Sequence, residues 1–296
     1  MQTQRFNGFI KGLIGIGLGL SAAGFCFSPS GFVSGPAGRI HYTDTGSGGE
    51  SVAGAGSVPV IFLHSFAGTA EHWRDSLDFV RANRRGIAID LRGHGRSDPG
   101  ETYSIRSLAD DVAAVIDALG LKRFVLVGHS MGGLVALECA RRYSADRVAG
   151  LYLLDSGGAA LLYPEPMKQK ILADIAADRH SESILAYWET ILGDATPALR
   201  EGLARDLAAL PRPAILGLMR SLFEYDPRPA LAAYRGPIAA LVSKSNDGPT
   251  ALHRLREDIP VERVASENHW WYLDRPAGFH RHLKEFLEAV DRRGLK

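Results

Sequence analysis

The stretch FVLVGHSMGGLVALECARRY, residues 124–143, restricts this chain more than any other. Its first five residues form a short, β-rich apolar run, the pattern of a strand buried on both faces. Its last residues form a helical pattern. Between them lies GHSMG (128–132), a G-x-S-x-G sequence. A strand that turns at once into a helix leaves the side chain at the turn exposed above the C-terminal edge of its sheet. Gly128 and Gly132, with Gly133, leave room where a Cβ would strike the neighbouring turn. Ser130 then sits at a helix N-terminus, where unpaired N–H groups and the helix dipole favour negative charge. The motif alone arises easily in a chain with 33 glycines, but strand and helix bracket it here.

The same rhythm runs through the chain. PVIFLH (59–64), GIAID (86–90) and VAGLYLLD (148–155) read as further buried strands, and GRIHYTD (38–44) as an alternating one. TGSGGESVAGAGS (45–57) reads as a surface loop. Residues 104–119 repeat apolar side chains at i, i+3, i+4 and i+7, with Ser104 placed to cap the start and Gly120 the end. Strand and helix in alternation predict an α/β fold with a mostly parallel sheet flanked by helices. The rhythm stops after Asp155. Residues 159–232 are helix-rich and interrupted by prolines. Strand character returns at PIAALVS (237–243) and PVERVA (260–265), and a last helix is expected over 277–290. The organisation predicted is a core of 38–158 and 233–292 carrying a helical cap at 159–232.

Composition excludes some classes. Lys and Arg number 34 against 33 Asp and Glu, so no basic face marks a nucleic-acid partner. The two cysteines, Cys26 and Cys139, lie in no metal-binding pattern and read as small apolar fillers. No metal or cofactor is called for. Arg5 and Lys11 precede the uncharged apolar run 12–28, the pattern of a signal peptide or N-terminal membrane anchor within residues 1–30. Export (periplasmic, secreted or anchored) is the expectation, with a cytoplasmic protein bearing an apolar arm as the alternative.

A serine hydroxyl needs a base, and the base needs an orienting group. His269, in the polar turn SENHWW after the last strand, is the candidate base, whereas the His129 side chain should point elsewhere on its tight turn. Two acids compete. Asp247 follows strand 237–243, and Asp155 ends strand 148–155. Asp247 is preferred because its strand adjoins the one that delivers His269. HSFAG (64–68) can supply Phe66 N–H as an oxyanion donor beside Met131 N–H. Phe66, Trp73, Trp188 and Trp270 are candidate pocket aromatics. DLRGHGRSD (90–98) reads as structural, with Asp90 and Arg92 holding a turn.

Taken together, GHSMGG, DLRGHGRSD, HSFAG and HWWYLDRP (269–276) resemble the α/β-hydrolase family over about residues 38–290. Ser65 and Lys244 depart from it, standing where glycine is usual. The resemblance implies the triad Ser130, Asp247 and His269, oxyanion amides at Phe66 and Met131, and a cap that shapes the substrate pocket. The activity expected is hydrolysis of a small to medium carboxylic ester through an acyl-enzyme. Lactone or C–C bond hydrolysis, cofactor-free peroxidation, and a catalytically silent ligand-binding protein are the alternatives. Serine at position 130 argues against epoxide hydrolases and dehalogenases, which use aspartate there.

Overall fold

The computed structural model describes residues 29–46, 57–177 and 180–294. The run predicted as a leader or anchor, including Cys26, lies almost wholly outside them, and among the described residues no helix is long and apolar enough to cross a membrane.

In chain order, β1 (Ser30–Gly35) and β2 (Gly38–Asp44) form a hairpin that leads into β3 (Val60–Leu63), α1 (Arg74–Val80) and β4 (Gly86–Ile89). Next come α2 (Ile105–Ala118), β5 (Phe124–His129), α3 (Met131–Arg147) and β6 (Val148–Leu154). Helices α4 (Glu165–Ala176), α5 (His180–Leu192), α6 (Pro197–Ala209), α7 (Arg212–Glu224) and α8 (Arg228–Ala233) separate β6 from β7 (Ile238–Val242). The chain ends with β8 (Val261–Arg263), the short α9 (Trp271–Asp274) and α10 (Pro276–Gly294). The eight strands form one sheet in the order β1-β2-β4-β3-β5-β6-β7-β8. β2 is antiparallel to β1 and β4, and every other pairing is parallel.

Local chemistry explains the elements that carry the site. β3, β4, β5 and β6 are buried along their full length, as the continuous apolar runs require of strands covered by helices on both faces. Ser104 caps α2 by accepting from Ser107 N–H, and Gly120 follows the helix with a φ of 63°. The DLRGHGRSD turn is held as expected. The Asp90 carboxylate accepts from Ala70 N–H (2.6 Å) and Arg96 N–H (3.0 Å) and pairs with His41 Nδ1 (2.7 Å). Arg92 forks onto Asp111, 2.7 Å from Nη2 to Oδ1. The unforeseen strand is β1, whose alternating, half-exposed SGFVSG carries too little apolar signal to stand out and is ordered by pairing with β2.

Candidate active site

Ser130 lies at the junction of β5 and α3 with φ 52° and ψ −118°, a conformation rare for a side chain bearing a Cβ. Its N–H donates to Leu154 O at 3.0 Å, and its carbonyl accepts from Gly133 and Gly157 N–H. The glycines around it are sterically required. A Cβ on Gly128 would lie 2.3 Å from Gly132 O, and one on Gly132 would lie 2.3 Å from Leu63 O. Strand β5 therefore turns into α3 against β3 with no space for larger residues.

His269 stands six positions past the end of β8 and folds back over the middle of the sheet. Its N–H donates to Ile191 O of α5 (2.8 Å), and its carbonyl accepts from His129 Nε2 (3.0 Å). The side chain of His129 thus points away from Ser130, as expected, and braces the backbone of His269 instead. Its Nδ1 is buried with no hydrogen-bond partner.

The carboxylate facing His269 corrects the preferred assignment. His269 Nδ1 lies 2.9 Å from Asp155 Oδ2, and both side chains are buried. Ser243 holds the same carboxylate, its N–H 2.6 Å from Oδ1 and its hydroxyl 2.5 Å from Oδ2. Asp247 does not reach His269. It is taken up by Arg263 Nε (2.7 Å), His253 Nε2 (2.8 Å) and Arg254 Nη2 (2.9 Å). The hydrogen bond from Arg263 above all, followed by His253, holds its carboxyl down at about 2. The reason is topological. β6 is hydrogen-bonded directly to β5, in register from Gly128↔Leu153 to His129↔Leu154, so Asp155 emerges beside Ser130. Past β7 the chain makes a 3-10 turn, Lys244–Asn246, that carries Asp247 outward to the end of β8.

Phe66 and Ala67 occupy the turn closed by Gly68 N–H onto Ser65 O (3.0 Å). The positive φ of this loop falls on Ala67 (56°), not on Ser65, which departs from the usual glycine. Ser65 is free to accept from Trp270 Nε1 at 3.1 Å. Met131 N–H is the first of α3 and has no intrahelical acceptor. Phe66, Met131, Ser130 and His269 line one cavity of about 280 Å³, walled on the far side by α4, α5 and α7. Trp188 and Trp270 also line it. Trp73 does not. It is fully buried at the end of the 3-10 turn Ala70–Trp73, stacked on Tyr272 and tilted against Phe62, each 5.0 Å away. Its pattern of burial is that of core packing behind the 65–68 loop.

Two further histidines hold that loop. His64 accepts at Nε2 from Leu91 N–H (3.0 Å), and His94 accepts at Nε2 from Ala67 N–H (3.3 Å). Accepting requires the neutral ring. Burial, reinforced for His64 by the neighbouring His94, lowers the two to about 3 and about 4. Burial also holds His129 well below its ordinary value. Folding keeps these rings neutral where the unfolded chain would protonate them, so their contribution is complete above about pH 6.5 and is lost as pH falls toward 4. Each proton taken up on unfolding gives a slope of about 1.4 kcal/mol per pH unit. Urea melts between pH 7 and pH 4.5 should show a falling midpoint; a flat profile would contradict neutral burial of these rings.

No group in the cavity lining forms a metal-donor cluster. Among the described residues the one such grouping is Glu262, His282 and Glu285, at the surface between β8 and α10. Cys139 is buried in α3 beside Ala109 O (3.6 Å), and burial pushes its thiol up.

This sheet, with a serine at a strained strand-to-helix turn, defines the alpha/beta hydrolase fold. The sequence profile of that family matches residues 58–210, and the chain belongs to it. A Bacillus subtilis strain 168 protein assigned as a 2-succinyl-6-hydroxy-2,4-cyclohexadiene-1-carboxylate synthase is 28% identical over 253 residues, covering 79% of this chain and 92% of that one. The 3-oxoadipate enol-lactonase 1 of Acinetobacter baylyi is 25% identical over 254 residues, 81% of this chain and 92% of its own. A thermophilic esterase from Thermogutta terrifontis shares the fold with a TM-score of 0.74 at 22% identity, covering 89% of this chain and 100% of that chain. A lactonase, haloperoxidases and epoxide hydrolases are thus among this chain's sequence relatives, and an esterase shares its fold.

Proposed function

We propose that this protein is a serine hydrolase of carboxylic esters with the triad Ser130, His269 and Asp155. The observation that carries the reading is the buried His269–Asp155 pair, opening on the same cavity as a serine held in a strained turn. Asp155 fixes the ring so that Nδ1 carries its proton and Nε2 accepts. His269 takes the hydroxyl proton of Ser130 as Oγ bonds to the ester carbonyl carbon. The charge formed on the carbonyl oxygen meets the N–H groups of Phe66 and Met131, each donor being worth about 3–4 kcal/mol in the transition state. As the ester C–O bond breaks, His269 returns the proton to the leaving alcohol. A water then adds to the acyl carbon, giving its proton to His269, and the acid departs as Ser130 regains its hydrogen.

Hydrolysis of p-nitrophenyl acetate and butyrate by the purified protein and by Ser130→Ala tests this. The expected outcome is a loss of about 10⁴-fold or more in kcat for the variant. Equal rates would overturn the assignment. A lactone is the second reading, supported by the likeness to an enol-lactonase over most of both chains; the ring-opening uses the same steps, with the leaving alcohol retained on the acyl group. A silent ligand-binding role would leave Ser130 unlabelled by a fluorophosphonate.

A further inference from the structure

The cavity that holds Ser130 and His269 contains no Asp, Glu, Lys or Arg among its lining residues. Its walls are apolar side chains from the oxyanion loop, α3 and the inserted helices, including Leu134, Ile171, Ile184, Met219, Leu222 and Phe223. The polar side chains that reach it are largely committed to the protein. Ser65 accepts from Trp270. Ser183 donates to Asp174, Asn246 donates to Ser156 O, and Ser245 bonds Ser243. Lysines on the flanking segments are engaged as well. On α4, Lys168 and Lys170 pair with Glu165 and Asp174, and beyond β7 Lys244 pairs with Glu267. The fixed negative charge behind the site, Asp155, lies beneath His269.

The apolar character continues to the surface. Four large hydrophobic side chains are exposed among the described residues: Phe32, Leu162, Met167 and Tyr187. Met167 and Tyr187 line the cavity, and Leu162 lies in the chain between two residues that do, Ala160 and Tyr163. The mouth is therefore edged by groups that favour an apolar visitor.

From this we infer that the substrates are uncharged esters with an apolar acyl chain, and that esters carrying an anionic group on the acyl side are rejected. A carboxylate entering the cavity would lose its water with no cationic side chain in the lining to replace it, while each methylene placed against the walls is favourable. The inference rests on the ester-hydrolase reading, and its test separates the two. The probes are p-nitrophenyl acetate, butyrate and hexanoate, together with mono-p-nitrophenyl glutarate and its neutral methyl ester. Across the first three, kcat/KM should climb by about threefold to fourfold per methylene. The glutarate anion should be cleaved at least about 100-fold less efficiently than its methyl-capped twin. Binding of the same two glutarates to Ser130→Ala, read by calorimetry, supplies a measure that needs no turnover. Comparable cleavage of anion and methyl ester would overturn the substrate class and leave the hydrolase standing. Selective binding of the methyl ester with no cleavage by the native protein would overturn the hydrolase and leave the class standing. Neither cleavage nor binding of any probe would overturn both.

Discussion

Asp155→Asn should lower kcat for p-nitrophenyl butyrate by about 10⁴-fold, whereas Asp247→Asn should change it by less than about tenfold. The amide at 155 retains the shape of the carboxylate, and its oxygen, in the place of Oδ1, can still accept from Ser243 N–H, while its NH₂, in the place of Oδ2, meets the Ser243 hydroxyl. Its NH₂ would then face His269 Nδ1. Two donors cannot share that contact, so the ring moves its proton to Nε2 and can no longer accept one from Ser130. Asp247 carries no such duty. Its oxygens bind Arg263, His253 and Arg254 on the outer side of the loop after β7. The measurement is steady-state kinetics of the two variants, with circular dichroism to show that both are folded. The reverse pattern, a large loss at 247 and a small one at 155, would restore Asp247 as the orienting acid.

A second large effect is expected away from the site. Asp111→Ala should destabilise the fold by about 3–5 kcal/mol, because it leaves the Arg92 guanidinium buried without its counter-ion. Both side chains are almost completely buried, and the contact is bidentate. Arg92 also donates to the carbonyls of Thr102 (3.0 Å) and Ser107 (2.9 Å), so it cannot swing out to water without releasing the turn after β4. Burial pushes the Asp111 carboxyl up while Arg92 opposes it, which marks the pair as one whose solvation was surrendered on folding. At about 2–4 °C per kcal/mol for a chain of this size, Tm should drop by roughly 10 °C. The double variant Arg92→Met, Asp111→Leu should recover most of the loss, since a buried ion pair replaced by apolar groups is often neutral. A single variant that melts with the native protein would show that Arg92 finds another partner.

The two sites differ in how they could be read from sequence. Arg92 and Asp90 sit in a run of turn residues, and their role in holding that turn followed from residue type alone. Asp111, the partner of Arg92, appeared only as one polar position in an amphipathic helix, with nothing local to tie it to a residue 19 positions earlier. Likewise Trp73 and Trp188 were equivalent as candidate aromatics. Packing separated them, one stacked in the core on Tyr272 and the other beside Trp270 at the cavity.

Ser130 and the direction of its chain were determined by sequence, because strand, tight turn and helix follow within a few residues and a glycine on each side leaves one backbone path. The same holds for the parallel sheet, whose buried strands announce themselves as unbroken apolar runs. His269 was legible because the turn after the last strand is short and offers one suitable base. The acid was not. Asp155 and Asp247 both follow buried strands, and local pattern treats them alike. Which one meets His269 depends on where the histidine loop lands after leaving β8, on the contact of its backbone with α5, and on a 3-10 turn that carries Asp247 away. The contact they decide joins residues 114 positions apart, and only the tertiary structure settles it. The absence of charge from the cavity is of the same kind, since helices dense in Lys, Arg, Asp and Glu turn their apolar faces inward only once they pack over the sheet.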